Sequence, residues 1–266
     1  MRNNAKFENN KGRIARITVM ILAIAVMTTS LAVGTFAKYA TGDNSSDNAR
    51  VAKWGVTIEI TGSDDMFVDS YDNDVNPTVL ASDRQDVVAP GTKNTTGVVF
   101  TIDGTPEVKT KVDVKLTDSN GQAAKDIYLE YGFEDDPDTA DVDESESNFY
   151  YPVVFTLTQI GNRNGDLATP VVLETGTLAD ISEFLDEYSA SAYYEPNTDL
   201  GASFRLTWEW VYERGNGAEI TANDVFDTAL GDIAAGLNVS KVNGKDVLDS
   251  NLTLDYKVSI TVVQVD

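Results

Sequence analysis

Apolar and polar residues alternate with a period of two along several segments of the chain. In the clearest of them, Val108, Thr110, Val112, Val114 and Leu116 share one face, and lysine and aspartate side chains occupy most of the other. Successive side chains of a β-strand point to opposite faces of a sheet. This pattern therefore predicts a strand with one buried face and one face in water.

A second alternating segment is rich in aromatic residues. One of its faces carries five large side chains, which are Phe204, Leu206, Trp208, Trp210 and Tyr212. Polar and charged residues, among them Glu209, occupy the opposite face. We expect the aromatic stripe to belong to a hydrophobic core. The alternative is an exposed platform on which sugar rings stack.

Further strands are predicted where apolar runs lie between turn residues. They are Val56–Thr61, Val87–Val88, Val98–Ile102, Ile127–Phe133, Val153–Ile160, Val171–Glu174 and a long C-terminal strand from Leu252 almost to Asp266. Two stretches have helical spacing instead: Leu178 to Tyr188 behind a possible Thr177 cap, and Val225 to Ile233. About nine strands without regular alternation of strands and helices predict an all-β fold, an antiparallel β-sandwich that is jelly-roll-like, with one or two short helical excursions.

A basic segment followed by an apolar one predicts export. Two arginines precede an uncharged run from Ile17 to Ala37, which ends in small residues. We predict that residues 1–37 are a signal peptide, cleaved between Ala37 and Lys38. The uncharged run is also long enough to cross a bilayer, so an uncleaved membrane anchor is the alternative. Either outcome places the acidic remainder outside the membrane.

A short polar segment separates the predicted cleavage site from the first strand. Residues 38–50 are rich in Ser, Asn and Asp and hold few apolar side chains that could attach them to a core. We therefore predict three parts: a signal peptide over 1–37, a mobile N-terminal tail over 38–50 and a single β-sandwich domain over 51–266.

Acidic residues outnumber basic ones by about two to one. The chain holds 43 Asp and Glu against 20 Lys and Arg, which gives a net charge of −23 at pH 7. Several of the basic residues precede the apolar run, so the predicted exported part is more acidic still. Such a charge repels nucleic-acid phosphates and anionic lipid headgroups. We expect no nucleic-acid partner, and membrane contact only through an uncleaved signal segment.

The chain contains no histidine and no cysteine. This excludes Ser-His-Asp triads, thiolate nucleophiles, H-E-x-x-H zinc sites and every sulfur-ligated metal site. Paired carboxylates could still hydrolyse a glycoside, but the strand phase directs Glu209 away from its tryptophan neighbours. We expect no enzyme, no catalytic residues, no metal site and no cofactor.

Two acidic stretches supply the hard oxygen ligands that calcium prefers. One covers residues 134–146, and the other contains Asp64, Asp65, Asp69, Asp72 and Asp74. Neither has the spacing of a helix-loop-helix calcium site. Solvated, solubilising loops are the first interpretation, and calcium binding is the alternative.

Several short motifs in a fixed order resemble the TasA/camelysin family of exported Gram-positive proteins. They are Gly34–Tyr39, Ala49–Val56, Val88–Thr92, Gly104–Val108, Leu206–Trp210 with Tyr212-Glu213, Phe226–Gly231 and Val262–Asp266. The resemblance spans nearly the whole chain. It implies a jelly-roll domain, released by a dedicated signal peptidase, that assembles into extracellular fibres of a biofilm matrix or cell surface.

The resemblance also implies how the subunits join. The family assembles head to tail by donor-strand addition, in which the new N-terminus of one subunit pairs into a sheet of the next. The matching donor is the tail from Lys38, with Lys38, Tyr39, Ala40, Val51 and Ala52 as candidate contact residues. The implied partners are further copies of the chain, a signal peptidase during export and an accessory matrix protein. Camelysin members have been classed as metallopeptidases, an activity that a chain without histidine and cysteine does not support.

Three functions compete at this point. The first is a secreted structural subunit that self-assembles into fibres. The second is a monomeric secreted adhesin for glycan or calcium, which exposed aromatic side chains would favour. The third is an exported hydrolase, whose mark would be a buried carboxylate pair in a cleft.

Overall fold

The computed structural model describes residues 50–62, 66–73, 76–83, 85–132, 147–162 and 165–266. Residues Val51 to Asp266 form one compact unit. Its first strands are β1 (Thr57–Thr61), β2 (Ser70–Asn73), β3 (Asn76–Leu80), β4 (Lys93–Asp103), β5 (Thr110–Thr117), β6 (Tyr128–Tyr131) and β7 (Asn148–Tyr150). There follow β8 (Val153–Asn162), β9 (Gly165–Gly176), helix α1 (Leu178–Ser191), β10 (Tyr193–Tyr194), β11 (Ala202–Trp210), helix α2 (Ala218–Ala234), β12 (Lys241–Val242), β13 (Lys245–Asn251) and β14 (Lys257–Gln264).

The strands pair into antiparallel sheets. The largest has the order β1-β4-β11-β8-β9, a second has the order β10-β5-β14, and a third has the order β12-β13-β6-β7. Strands β2 and β3 form a separate hairpin. The predicted all-β, antiparallel fold with two helices is confirmed, and the jelly-roll connectivity stays a prediction.

The two strands with the clearest alternation supply much of the core. On β5, Thr110, Val112, Val114 and Leu116 are at most 3% exposed. On β11 the buried face holds Phe204, Leu206, Trp208 and Trp210. The core interpretation of the aromatic stripe is therefore right for these four residues. It is wrong for Tyr212, which is 68% exposed because the strand ends at Trp210.

Both predicted helices are present. Helix α1 begins after Thr177, whose side-chain oxygen accepts a hydrogen bond from the Asp180 amide, while the Asp180 carboxylate accepts one from the Thr177 amide. This reciprocal cap satisfies amides that the first turn of a helix leaves unpaired. Ser189 on the buried face of α1 bonds both backbone groups of Val114, which attaches the helix to β5. Helix α2 begins at Ala218, earlier than the apolar spacing predicts.

The predicted C-terminal strand is present but is shorter than predicted. Strand β13 ends at Asn251, and the chain then pairs its Asp255 backbone with that of Lys125 before β14 begins at Lys257. The alternation of apolar residues continues through this interruption, so it does not reveal where the strand starts. The predicted strand Val87–Val88 is absent. Among the described residues, its backbone pairing is limited to an isolated bridge between Val87 and Val68.

Among the described residues, no helix is long and apolar enough to cross a membrane. The predicted signal segment over residues 1–37 lies outside the described residues, so its prediction is unchanged.

Candidate functional site: an open edge of the sandwich

Strand β1 is an edge strand whose apolar side chains are incompletely covered. It pairs with β4, so that Ile58 lies opposite Ile102 and Ile60 lies opposite Phe100. Side chains directly opposite each other in an antiparallel pair share a face, and Ile102 and Phe100 are only 1% exposed. The two isoleucines therefore face the core side, yet they are 39% and 38% exposed.

Strand β14 shows the same feature on another sheet. It pairs with β5, placing Val258, Ile260 and Val262 opposite Leu116, Val114 and Val112. The three β5 residues are fully buried, whereas the three β14 residues are only partly buried. Within the described residues β14 has no strand on its second side, so the inner face lacks the cover that a further strand would give.

The two edges border the same side of the molecule. Ahead of β1, the Lys53 backbone exchanges hydrogen bonds with Glu107, and just after β14 the Val265 amide donates to the Lys109 carbonyl. At the opposite end, the ring of Phe67, in the segment after β1, lies 5.9 Å from the ring of Tyr256, directly before β14. We infer from these contacts that the two strands run in opposite directions, with neighbouring ends. We call the surface formed by Ile58, Ile60, Val258, Ile260 and Val262 the open edge.

Among the described residues, the free side of β14 has little of the usual protection of a sheet edge beyond Lys257 at its start. Natural proteins guard such edges with charged residues, prolines or bulges, because unpaired backbone groups recruit other strands. From Val258 to Gln264 the sequence is VSITVVQ, without a charge, proline or glycine, in a chain with 24% charged residues. The register of β14 against β5 is also unbroken. This edge is therefore chemically suited to accept another strand.

The structure places only part of the predicted donor. Val51 is 91% exposed, and Ala52 is also exposed, in a segment without regular secondary structure. Neither is brought onto the open edge of its own subunit. Lys38, Tyr39 and Ala40, and the predicted cleavage bond after Ala37, lie outside the described residues.

An apolar pocket of about 460 Å³ lies beside helix α2. Its walls come from the segment after β3, the end of β11, helix α2 and the residues leading into β14. Asp227 lines it, and its Oδ1 accepts hydrogen bonds from the Tyr150 hydroxyl (2.7 Å) and the Trp210 indole (3.0 Å). Burial raises the pKa of Asp227 above its ordinary value, and the two hydrogen bonds act in the opposite direction. Sequence reasoning missed this site because its walls are distant in sequence.

The tryptophans do not form an exposed sugar platform. Trp208 and Trp210 are 2% and 6% exposed, and their indole nitrogens donate to the Met66 carbonyl and to Asp227. Glu209 lies on the opposite face, as predicted, with Lys93 3.9 Å away at the surface. The glycan-stacking alternative is therefore wrong at this position.

Exposed aromatic rings are found elsewhere. Tyr128, Phe149 and Tyr151 form a surface cluster with ring centroids 5.6 to 6.1 Å apart, and Phe149 is 46% exposed. The Tyr128 hydroxyl donates to Asp249, and this hydrogen bond is the main reason why the pKa of Tyr128 is raised. The run Phe149-Tyr150-Tyr151 could have predicted this cluster. Alternation places the rings of Phe149 and Tyr151 on the same face, while Tyr150 is buried.

In the part of the chain that the structure describes, no group of three or more acidic side chains is close enough to hold a metal ion. The acidic loop over residues 134–146 and Asp64, Asp65 and Asp74 lie outside that part. Calcium binding at those stretches therefore stays an untested alternative.

Searches of protein-family models, curated proteins and solved structures find no match to this chain.

Proposed function

We propose that this chain is an exported structural subunit that assembles into an extracellular fibre. In this proposal the N-terminal tail of one copy, from Lys38, adds as a strand to the open edge of the next copy. The observation that carries it is the edge of β14, which has no second partner strand among the described residues, bears no charge from Val258 to Gln264, and leaves Val258, Ile260 and Val262 partly exposed. An added strand would satisfy the backbone groups of that edge and cover these side chains.

The proposed contact joins different surfaces of the two copies. The donor is the N-terminal tail, whereas the acceptor is the β1 and β14 side of the sandwich. A heterologous contact of this kind leaves a free donor at one end and a free acceptor at the other, so it generates filaments rather than closed dimers. Export through the signal segment would place these filaments in the matrix or at the surface of a Gram-positive-type bacterium. No catalytic residue is needed for this function.

The exposed cluster of Tyr128, Phe149 and Tyr151 favours a second function. Aromatic faces beside carboxylates such as Asp249 can stack on sugar rings and bond their hydroxyls. A monomeric adhesin for glycan is therefore the alternative. The two functions differ in whether the purified protein forms filaments.

The test compares chains spanning Lys38–Asp266 and Val51–Asp266 by negative-stain electron microscopy at rising concentration. We expect filaments from the first chain and monomers from the second, because only the first carries the donor tail. Thr261 lies on the outer face of β14 opposite Asp113, so a lysine there adds charge to the edge without opposing a like charge. The Thr261→Lys variant should raise the concentration needed for filaments roughly tenfold or more.

The matched control is Thr175→Lys on β9, an exposed threonine at the other edge of the largest sheet. It should assemble like the unmodified chain. Persistent monomers of Lys38–Asp266 across concentration and salt would contradict the fibre proposal and favour the adhesin. Equal inhibition by both lysine variants would contradict the assignment of β14 as acceptor.

A further inference from the structure

The apolar pocket beside α2 has the size and lining of a binding site that holds a bulky group. Its volume of about 460 Å³ is in the range typical of ligand sites. Most of the lining is apolar, including Phe67, Val87, Val88, Leu230, Leu252 and Leu254. Such a lining is suited to the aromatic or aliphatic part of a ligand. The polar groups of the pocket then decide which charge that ligand carries.

The polar groups of the pocket are mainly acidic. Asp227 and Asp86 both line it, and no lysine or arginine among the described residues does. The hydrogen bonds from Tyr150 and Trp210 both go to Oδ1 of Asp227, and Oδ2 accepts none from the described residues. The nearby Arg214 instead donates to the Tyr151 carbonyl. A half-buried carboxylate in apolar surroundings favours a ligand that brings a cation.

The N-terminal tail carries that chemistry at its tip. Cleavage after Ala37 would leave an α-ammonium group and the side-chain ammonium on Lys38, followed directly by the Tyr39 ring. From Ala40 to Ala49 the tail has no basic residue. The tail thus carries positive charge at its two ends, and only the charge at Lys38 lies next to its first aromatic ring.

The pocket lies near the end of the open edge at which β14 begins. Phe67 lines the pocket and contacts Tyr256, and Leu252 and Leu254 belong to the segment that leads into β14. A tail that begins in the pocket and runs in the direction of β14 would lie along its free side. The 13 residues from Lys38 to Arg50 reach about 43 Å when extended, and the 8 residues of β14 span about 26 Å. The tail is long enough to cover the strand and still link two subunits.

We propose that the pocket beside α2 receives the processed N-terminus of a second copy, with the ammonium groups of Lys38 paired to Asp227 and the Tyr39 ring among the apolar side chains. This inference rests on the proposed strand addition and specifies where the donor begins. It makes removal of the signal peptide a condition of assembly, because an uncleaved chain has no free amine at Lys38. The pocket thereby couples export to polymerisation.

The test uses the chain Val51–Asp266, which is the compact unit and contains the whole described core. A peptide of residues 38–50, labelled at its C-terminus, is titrated with this protein by fluorescence anisotropy. We expect saturable binding that weakens roughly tenfold or more when the peptide is N-acetylated and carries Lys38→Gln. Asp227→Asn should cause a similar loss, because the amide oxygen still accepts from Tyr150 and Trp210 while the charge is gone.

The matched control is Asp224→Asn, an exposed aspartate earlier on α2 that does not line the pocket. It should bind the peptide like the unmodified protein. Equal affinity for the free and the acetylated peptide, unchanged affinity in Asp227→Asn, or no binding at millimolar protein would each overturn the inference. If Lys38–Asp266 forms filaments and its Asp227→Asn variant forms them equally well, the pocket inference fails while the fibre proposal stands.

Discussion

Asp118 shows how single carboxylates are held in this acidic protein. Its side chain is 1% exposed, and it accepts hydrogen bonds from the amides of Gln122 and Asn120 and lies 3.1 Å from the Lys125 ammonium. The Gln122 hydrogen bond foremost, with the contribution of Lys125, holds the pKa of Asp118 below its ordinary value. Burial instead raises the pKa of Asp126 and Asp227. Asp118 therefore stabilises the fold when it is ionised. For Asp126 and Asp227, protonation removes the cost of burying a charge.

Asp118→Asn should destabilise the protein at neutral pH only. The asparagine oxygen can still accept the two amide hydrogen bonds, so the variant removes only the charge. Because the folded-state pKa is lowered, the stabilisation is fully present above the unfolded value of about 3.9 and is lost as the pH falls below it. The melting temperature of the variant should lie below that of the unmodified protein at pH 7, and the difference should shrink as the pH falls through the lowered folded-state pKa of Asp118.

The control for this prediction is Asp113→Asn, whose contacts to Lys111 and Lys115 are 3.8 Å long and partly exposed. Such surface pairs contribute little, so its melting temperature should hardly change. A deficit of Asp118→Asn that is the same at pH 3 and pH 7 would contradict the assigned role of the charge.

At the scale of elements, helix α1 depends on its first turn. Thr177 and Asp180 cap each other, and the Asp126 carboxylate accepts a further hydrogen bond from the Leu178 amide. The helix buries Leu178, Ile181 and Leu185. Its cap therefore fixes where these side chains enter the core.

Thr177→Ala should lower the free energy of unfolding by about 1 kcal/mol, because it leaves the Asp180 amide without its acceptor. Urea denaturation measures this change. Thr175→Ala, two residues earlier at an exposed position of β9, is the matched control and should cost less. Equal losses in the two variants would contradict the capping role.

The alternation of apolar and polar residues predicted the strands that bury one face. It failed for strands that are short or hold few apolar residues. It located β5 and β11 because their inner residues contact the core along the whole strand. It missed β2, β3, β7, β10 and β12, which are too short to show a period, and it missed β13, whose only apolar residues are the adjacent Val247 and Leu248. It continued through the break at Asp255 because the apolar residues keep their alternation there. Local pairing by backbone atoms leaves no trace in the sequence pattern.

The candidate site was less predictable than the fold. Ile58 and Ile60 alternate like residues of any half-buried strand, and only the sheet order reveals that β1 is an edge. The pocket joins Asp86, Asp227 and Leu254, which are far apart in the chain, so no spacing could indicate it. The candidate donor residues were named from a resemblance, and the contacts proposed for them involve a second copy that a single chain does not contain.

At the scale of the whole molecule, the net charge of −23 opposes association. Copies with such a charge repel one another at low ionic strength, and salt screens the repulsion beyond about 10 Å. A contact that joins them must therefore rely on backbone pairing, apolar cover and local charge complementarity. In the proposed assembly, the open edge would supply the first two, and the pairing of Lys38 with Asp227 would supply the third.

The most direct test of strand addition uses the absence of cysteine from the chain. Ala40→Cys and Ser259→Cys are combined in Lys38–Asp266, which places one thiol on the donor tail and one on β14. After mild oxidation of the assembled protein, we expect a ladder of covalent multimers on a non-reducing gel. Each cysteine alone should give at most dimers, and Ala40→Cys with Thr175→Cys on β9 should give no ladder. A double variant that stays monomeric, or that gives the same ladder with the cysteine on β9, would contradict donor-strand addition at β14.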